Sequence, residues 1–558
     1  MRQHRSLLYV AFVFLAAVHA LIACSQNAAH STAGEIAAAL DLITLEALEM
    51  HVRYLADDAR EGREAGEAGY DDAANYVAEQ LMTMRVEPAG VEGWYQPVVL
   101  RRYRIESDSA TLTLHRDGND TEFVYRDDFS MRADAVREST SVRAEVVYVG
   151  YGVHAPMHGY SDYEGIDVRG KIVAMFRGAP DVIEGTERAY YASSRTKAEE
   201  AVSRGAIGFL GLRSRKSEER RSWEDAKKSI GKSAQMVWVN EAGQASRYFA
   251  EIRGSASINI ETAEEVFGLS PLSFEQALDA AEAGEPASAA LGVEITLAQR
   301  STHSNLLSPN VIGMVRGTDP ELANEYVVYT AHLDHVGVID VDEEDTIHNG
   351  AYDNAMGVAL MLETARAFAA APARRSVLFI ALTAEEKGLL GSDYFVNNPT
   401  VPVGSIVANI NLDMPLFLYP VADLVAFGSQ HSSLQGAVEA AAADEGFVFS
   451  PDPMPEENIF VRSDQFSFVR KGVPAVYLIP GFTSTDASID GEALFRDHLK
   501  NHYHEPTDDM GRPFHWESAL RFARAHTRIG YKIADERERP GWNEGNFFGE
   551  KYARPTED

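Results

Sequence analysis

Cysteine is almost absent: Cys24 is the only one in 558 residues. A single thiol excludes an internal disulfide and any thiolate zinc cluster, so a bound metal would have to be held by His, Asp and Glu. Positive charge is also scarce, with 51 Lys and Arg against 84 Asp and Glu and a net charge of −33. That balance repels a nucleic-acid backbone or an anionic membrane surface, and neither is expected as a partner. No internal repeat and no coiled-coil heptad pattern is visible. What remains is 45% hydrophobic and 24% charged, a soluble globular composition on a chain long enough for two or three domains.

At the N-terminus, Arg2 and Arg5 precede LLYVAFVFLAAVHALI at 7–22, too short for a spanning helix and of the length of the apolar part of an export signal. Leu21-Ile22-Ala23-Cys24 follows and resembles a bacterial lipobox. The expectation is a signal over 1–23, lipidation at Cys24, and a periplasmic protein anchored to the outer membrane. Residues 24–40 read as a tether that turns into the first helix, and helical spacing over 41–82 predicts two packed helices.

Strand signals then dominate, at 110–115, 144–150, 171–176, 206–212 and 236–240, with a helical stretch at 193–205. They suggest a β-rich insert over 140–290, dividing a principal domain into 41–139 and 291–536, with a polar surface tail over 537–558. After Asn310 apolar strands alternate with helices: strands at 310–315, 326–331, 376–382, 405–412, 424–428 and 474–479, helices at 356–371, 432–445 and 516–535. Strands apolar on both faces predict an α/β fold, a mixed and largely parallel sheet sandwiched by helices.

Ligands gather at the carboxyl ends of strands in such sheets, and the informative residues fall there. The strand at 326–331 runs into HLDHVG, with His332 and Asp334; the strand at 376–382 runs into TAEE, with Glu385 and Glu386; the strand at 405–412 ends on Asp413. Asp353 opens a helix in NGAYDNAMGVA, and NHYHEPTDD brings His502 and His504. Singly, each has an ordinary reading as a strand-end histidine, a helix cap or an acidic first turn. Together, like charges at one sheet edge call for a compensating cation. Two imidazoles and three carboxylates suit zinc, and a bridging Asp353 would divide them between two ions that share a water. Glu385, beside a ligand and aimed elsewhere, would be free to move that water's proton. Asp334 would accept a hydrogen bond from His332, and Asp508 could orient His504 in the same way. His335, His348, His498 and His502 are rival ligands; His332 is preferred to His335 because it continues its strand directly.

AHLDHVG, NGAYDNAMGVA, LFIALTAEEKGLLGS, NINLDM, RSDQFSFVRKGVPAV and YHEPTDD resemble, in order, the motifs of metallopeptidase family 28, the co-catalytic zinc aminopeptidases. The segment at 51–81 is similar to the N-terminal helices of exported bacterial members, and the insert resembles a protease-associated (PA) domain. The resemblance implies a two-zinc site with ligands His332, Asp353 (bridging), Glu386, Asp413 and His504, one ion taking His332, Asp353 and Asp413 and the other Asp353, Glu386 and His504. It implies Glu385 as general base, Asp334 as the aspartate that orients a histidine, and Tyr503 as a stabiliser of the oxyanion. Arg462 is a weaker candidate for that last role, and Gln465 stands where members often have histidine, so no role is inferred for it. The implied reaction is hydrolysis of the N-terminal bond of a peptide or protein substrate, with the insert shaping access to the cleft. The alternatives are a carboxypeptidase or dipeptidase of the same family, and a receptor-like binding scaffold without catalysis, which would have lost metal ligands.

Overall fold

The computed structural model describes residues 31–231, 234–268, 270–339 and 345–553. The expected signal and Cys24 lie outside the described residues. Two helices, α1 (Ala33–Leu40) and α2 (Leu45–Leu55), precede α3 (Ala68–Thr83). Thr32 caps α1 in a capping box with Glu35, and Thr44 caps α2 through Ala47 N. The apolar face of α2, Leu48, Val52 and Leu55, is fully buried and packs on a later helix.

The chain then builds β1 (Tyr95–Ile105), β2 (Thr111–Arg116), β3 (Ser139–Val149), β4 (Ile172–Phe176), α4 (Ser194–Ser203), β5 (Gly208–Leu212) and β6 (Ser255–Ile258). Strands β3, β4, β5 and β6 pair in parallel. Their core is separate from the rest and runs from Leu112 to Leu297, so it reaches beyond 140–290 at both ends. The next strand, β7 (Ser288–Val315), belongs to both halves of the molecule. Over Ser288–Arg300 it pairs with β3, and over Ser301–Val311 it pairs antiparallel with β1.

The second sheet continues with β8 (Tyr326–His332), α5 (Met356–Ala370), β9 (Ser376–Leu382), β10 (Ile406–Leu412), β11 (Asp423–Phe427), α6 (Leu434–Asp444), β12 (Ala475–Pro480) and α7 (Trp516–Asp535). In the order β1-β7-β9-β8-β10-β12-β11 the pairs are parallel from β9 through β12 and antiparallel on either side; Gln235–Trp238 adds antiparallel to β1, and Val448–Ser450 adds parallel to β11. Every residue of β9, β10 and β12 is buried, as strands covered on both faces require.

The tail departs from the expected surface loop. Phe547–Tyr552 forms a short helix, α8, whose Phe547 and Phe548 are buried. Phe548 sits 5.0 to 6.5 Å, ring to ring, from His431, Phe460, Phe466 and Tyr190. Two aromatic rings outweigh the polar residues around them, because each buries more apolar area than those residues need to keep solvated. Among the described residues no helix is long and apolar enough to cross a membrane.

Candidate metal centre

Four chain segments bring their ligands to the carboxyl edge of the parallel strands. His332 ends β8, Glu385 and Glu386 follow β9, Asp413 follows β10, and Asp353 stands just before α5. His504 arrives from the loop after a helix at Gly491–Asn501, with φ +59. His332 Nε2 lies 3.1 Å from Asp413 Oδ1 and 3.2 Å from Asp353 Oδ1. His504 Nε2 lies 2.9 Å from Glu386 Oε2 and 3.3 Å from Asp353 Oδ2. Asp353 therefore turns Oδ1 toward His332 and Oδ2 toward His504. Two groups of ligand atoms lie within 4.8 Å of one another: His332, Asp353 and Asp413 in one, and His335, Asp353, Glu386 and His504 in the other.

The donor chemistry fits a pair of cations. His332 Nδ1 donates to the carbonyl of Asp334 at 3.0 Å, so in the neutral ring the lone pair of Nε2 faces two carboxylate oxygens. Lone pair against lone pair is repulsive unless a cation stands between them. His504 Nε2 is buried and has no hydrogen-bond partner despite the two nearby carboxylates, an arrangement of ligands around a centre and not of a donor toward an acceptor. The same carboxylate field that would hold a cation also acts on a proton. Burial works against a charged His504, yet Glu386 and Asp353 outweigh it and push it up to about 10.

The carboxylates around this centre are held by backbone. Asp508 accepts the N–H groups of Tyr352 (3.1 Å) and Asp353 (3.0 Å), and its carbonyl accepts Ala351 N–H (2.9 Å). Asp508 thus fixes the Asp353 turn, not His504 as expected. Asp334 differs in the same way: its carbonyl orients His332, while its carboxylate accepts the N–H groups of Glu385 (3.0 Å) and Glu386 (3.3 Å). Asp413 Oδ2 accepts the hydroxyl of Ser463 at 2.6 Å, and Asn411 joins Ser463 to Gln465 through 2.9 Å bonds. Gln465, given no role from sequence, is the far end of that chain. Burial pushes Asp334 up to about 7, and Asp464 and Asp508 up to about 6.

Glu385 lies beside both groups and belongs to neither, and burial pushes its carboxyl well above the usual range. Tyr503 stacks on His504 at 3.8 Å between ring centroids. Arg462 is half exposed and pairs with Glu457 at 3.2 Å, in place of the site role considered for it. Of the rival histidines, His335 enters the second group, whereas His348, His498 and His502 stand outside both.

Sequence reasoning also missed Arg63. It is fully buried and donates to the carbonyls of Leu333 (2.9 Å), Leu55 (2.6 Å), Asn349 (2.5 Å) and Gly350 (2.9 Å). One guanidinium so ties the His332–Asp334 loop to the Asp353 turn, and supplies a fixed positive charge beside the carboxylates. Nothing in the local pattern of DAREGREAG marks it, because all four acceptors are main-chain atoms.

Residues 310–529, which contain every member of both groups, match Peptidase family M28. A probable leucine aminopeptidase 2 of Aspergillus oryzae is 26% identical over 254 residues, 45% of this chain and 47% of that one. The aminopeptidase YwaD of Bacillus subtilis is 35% identical over 113 residues, 20% of this chain and 22% of that one. The chain thus spans about half, or less, of the length of these curated relatives. Among solved structures, an aminopeptidase from Aneurinibacillus sp. strain AM-1 superposes with a TM-score of 0.51 at 20% identity, covering 89% of this chain and 96% of that one. The chain therefore has the α/β fold of that aminopeptidase, and its metal-centre segment, 310–529, is similar to metallopeptidase family 28.

Proposed function

We propose that the protein is a two-zinc aminopeptidase that hydrolyses the N-terminal bond of peptides or proteins, with Glu385 as general base. The observation that carries this reading is the position of Glu385: half-buried, adjacent to Glu386, under the charges of His332 and Asp413, and outside both ligand groups. His332, Asp353 and Asp413 would hold one zinc ion; Asp353, Glu386 and His504 would hold the other. Zinc bound there would polarise the scissile carbonyl and acidify a water molecule. A carboxyl raised by burial is suited both to accept the proton from that water and to release it to the leaving amine. Tyr503, whose hydroxyl burial keeps neutral, can donate to the oxygen on which negative charge develops. The site's acidic groups favour the free ammonium of an unblocked N-terminus.

A carboxypeptidase of the same family would need a cationic side chain free to hold a carboxylate. The cations weighed for that role are engaged elsewhere: Arg462 with Glu457, Arg470 with Glu199 at 2.7 Å, and Lys471 with Asn397 at 2.7 Å. A non-catalytic scaffold is disfavoured because all five expected ligands and the base are kept. The lipobox-like Cys24 supports export and a lipid anchor facing the periplasm.

The test is Glu385→Ala. Metal content by elemental analysis should stay at two per chain, while turnover of an unblocked aminoacyl anilide falls by about 100- to 10,000-fold. Unchanged turnover removes Glu385 from the mechanism. Wild-type cleavage of free and N-acetylated peptides at equal rates excludes an aminopeptidase.

A further inference from the structure

His335 comes one residue after Asp334 and is not needed for a five-ligand site, yet the structure seats its ring inside the second group. Nδ1 lies 2.8 Å from Glu386 Oε1 and 3.8 Å from Asp353 Oδ2, and the ring packs edge-on against His504 at 5.6 Å. The pose is built in from several sides. The backbone N–H of His335 donates to the carbonyl of Arg63 at 3.2 Å. Gly350, with φ +59, lies against the ring: a Cβ there would come within 2.6 Å of ring carbons Cγ and Cδ2. The ring is fully buried, and its outer nitrogen, Nε2, has no hydrogen-bond partner among the described residues. Among the described residues, the polar contacts of the imidazole are therefore on the side that faces Glu386 and Asp353.

We propose that His335 is a fourth protein ligand of the second metal position, through Nδ1, in addition to Asp353, Glu386 and His504. This rests on the two-metal reading above. A neutral imidazole adds a donor without adding negative charge to a crowded carboxylate cluster. The 3.8 Å between its Nδ1 and Asp353 Oδ2 is compatible with two atoms each about 2.0–2.2 Å from one zinc ion. The two positions are then unequal. The second has four protein ligands and fills first and most tightly; the first, with His332, Asp353 and Asp413, has three, binds more weakly and is left open to water and substrate.

The experiment uses the whole mature chain, stripped with a chelator and titrated with Zn²⁺ by calorimetry, as wild type and as His335→Gln. Two binding steps are expected in the wild type, and the variant should weaken the tighter one by more than about a hundredfold, beyond the about 10- to 100-fold typical of losing a residue that only steadies a ligand. The weaker step should stay in place. Independently of any variant, the Co²⁺-loaded wild type should show three hyperfine-shifted imidazole N–H resonances in its proton NMR spectrum. Only two such resonances, with or without a change in affinity on substitution, would reduce His335 to a hydrogen-bond partner of Glu386 and overturn the proposal while leaving the two-metal reading intact. A wild-type chain that binds fewer than two ions would remove both.

Discussion

The two sheets of this molecule are built on opposite rules. In the sheet that carries the metal centre, β9, β10 and β12 are buried at every position, so neither face is free to act and chemistry is confined to the strand ends. In the insert, β3 alternates exposed and buried residues over most of its length, leaving one face to solvent and the other on a compact core. The difference teaches where to look. A strand buried on both faces offers only its ends, and all the ligand segments except His504 leave from there or from the turn beside them. The insert holds none of the ligand groups, yet it touches the edge that carries them. Arg247 donates to the carbonyl of Gly388 at 2.6 Å and lies 3.3 Å from Asp393, which also accepts Trp238 Nε1 at 2.8 Å and pairs with Arg195 at 3.2 Å.

The comparison can be broken most severely at the strand ends. Asp353→Ala should lower metal content well below two per chain and reduce turnover by at least about 1,000-fold, about 4 kcal/mol of barrier; a variant that retains two ions contradicts the shared carboxylate. A smaller effect should separate the halves by acid. His526 of α7 is fully buried, with Nδ1 3.2 Å from Thr364 Oγ1, and burial pushes it down to about 3. Its folded-state pKa is below the unfolded value of about 6.5, so the unfolded chain takes up the proton first. Stability should fall below about pH 6.5, by about 1.4 kcal/mol per pH unit from this residue, until the folded value is reached. His431 and His498, both pushed down to about 4, act in the same sense and also lie outside the insert. Urea midpoints at successive pH values should lose part of this slope in His526→Gln. The smallest effect probes the bridge. Arg247→Ala should reduce kcat by about tenfold, about 1.4 kcal/mol, with both metals retained, because it frees the turn that carries Glu385. An unchanged kcat would make the insert a bystander to catalysis.

Much of this was legible in the sequence because it is local. The strand at 376–382 and the helix at 516–535 are found at those limits, and the five expected ligands converge. What could not be read depends on atoms that leave no periodic trace. Asp508 and Asp334 serve backbone N–H groups about 155 and 51 residues away in sequence, and any residue type has such a group to offer. Arg63 binds four carbonyls for the same reason. The apolar pattern marks β7 only from Asn310, because the stretch before it, LAQRSTHSNL, lacks the apolar run of a doubly covered strand; it pairs where one face is open. The tail's average polarity predicts a surface loop, yet two phenylalanines suffice to seat it.

The length of β7 has a practical meaning. One unbroken strand is interior material in both sheets, lying between β2 and β3 over Glu294–Ala298 and between β1 and β9 at Val311, so the insert is not a cassette hung on two flexible hinges. Cutting it out at its apparent borders would sever a continuous ladder and strip β1 of Gln235–Trp238, the strand on its other side. A chimaera that exchanged this unit with another chain would have to keep Ser301–Val315 and match its pairing register, or the donor graft would shift every facing side chain by one position.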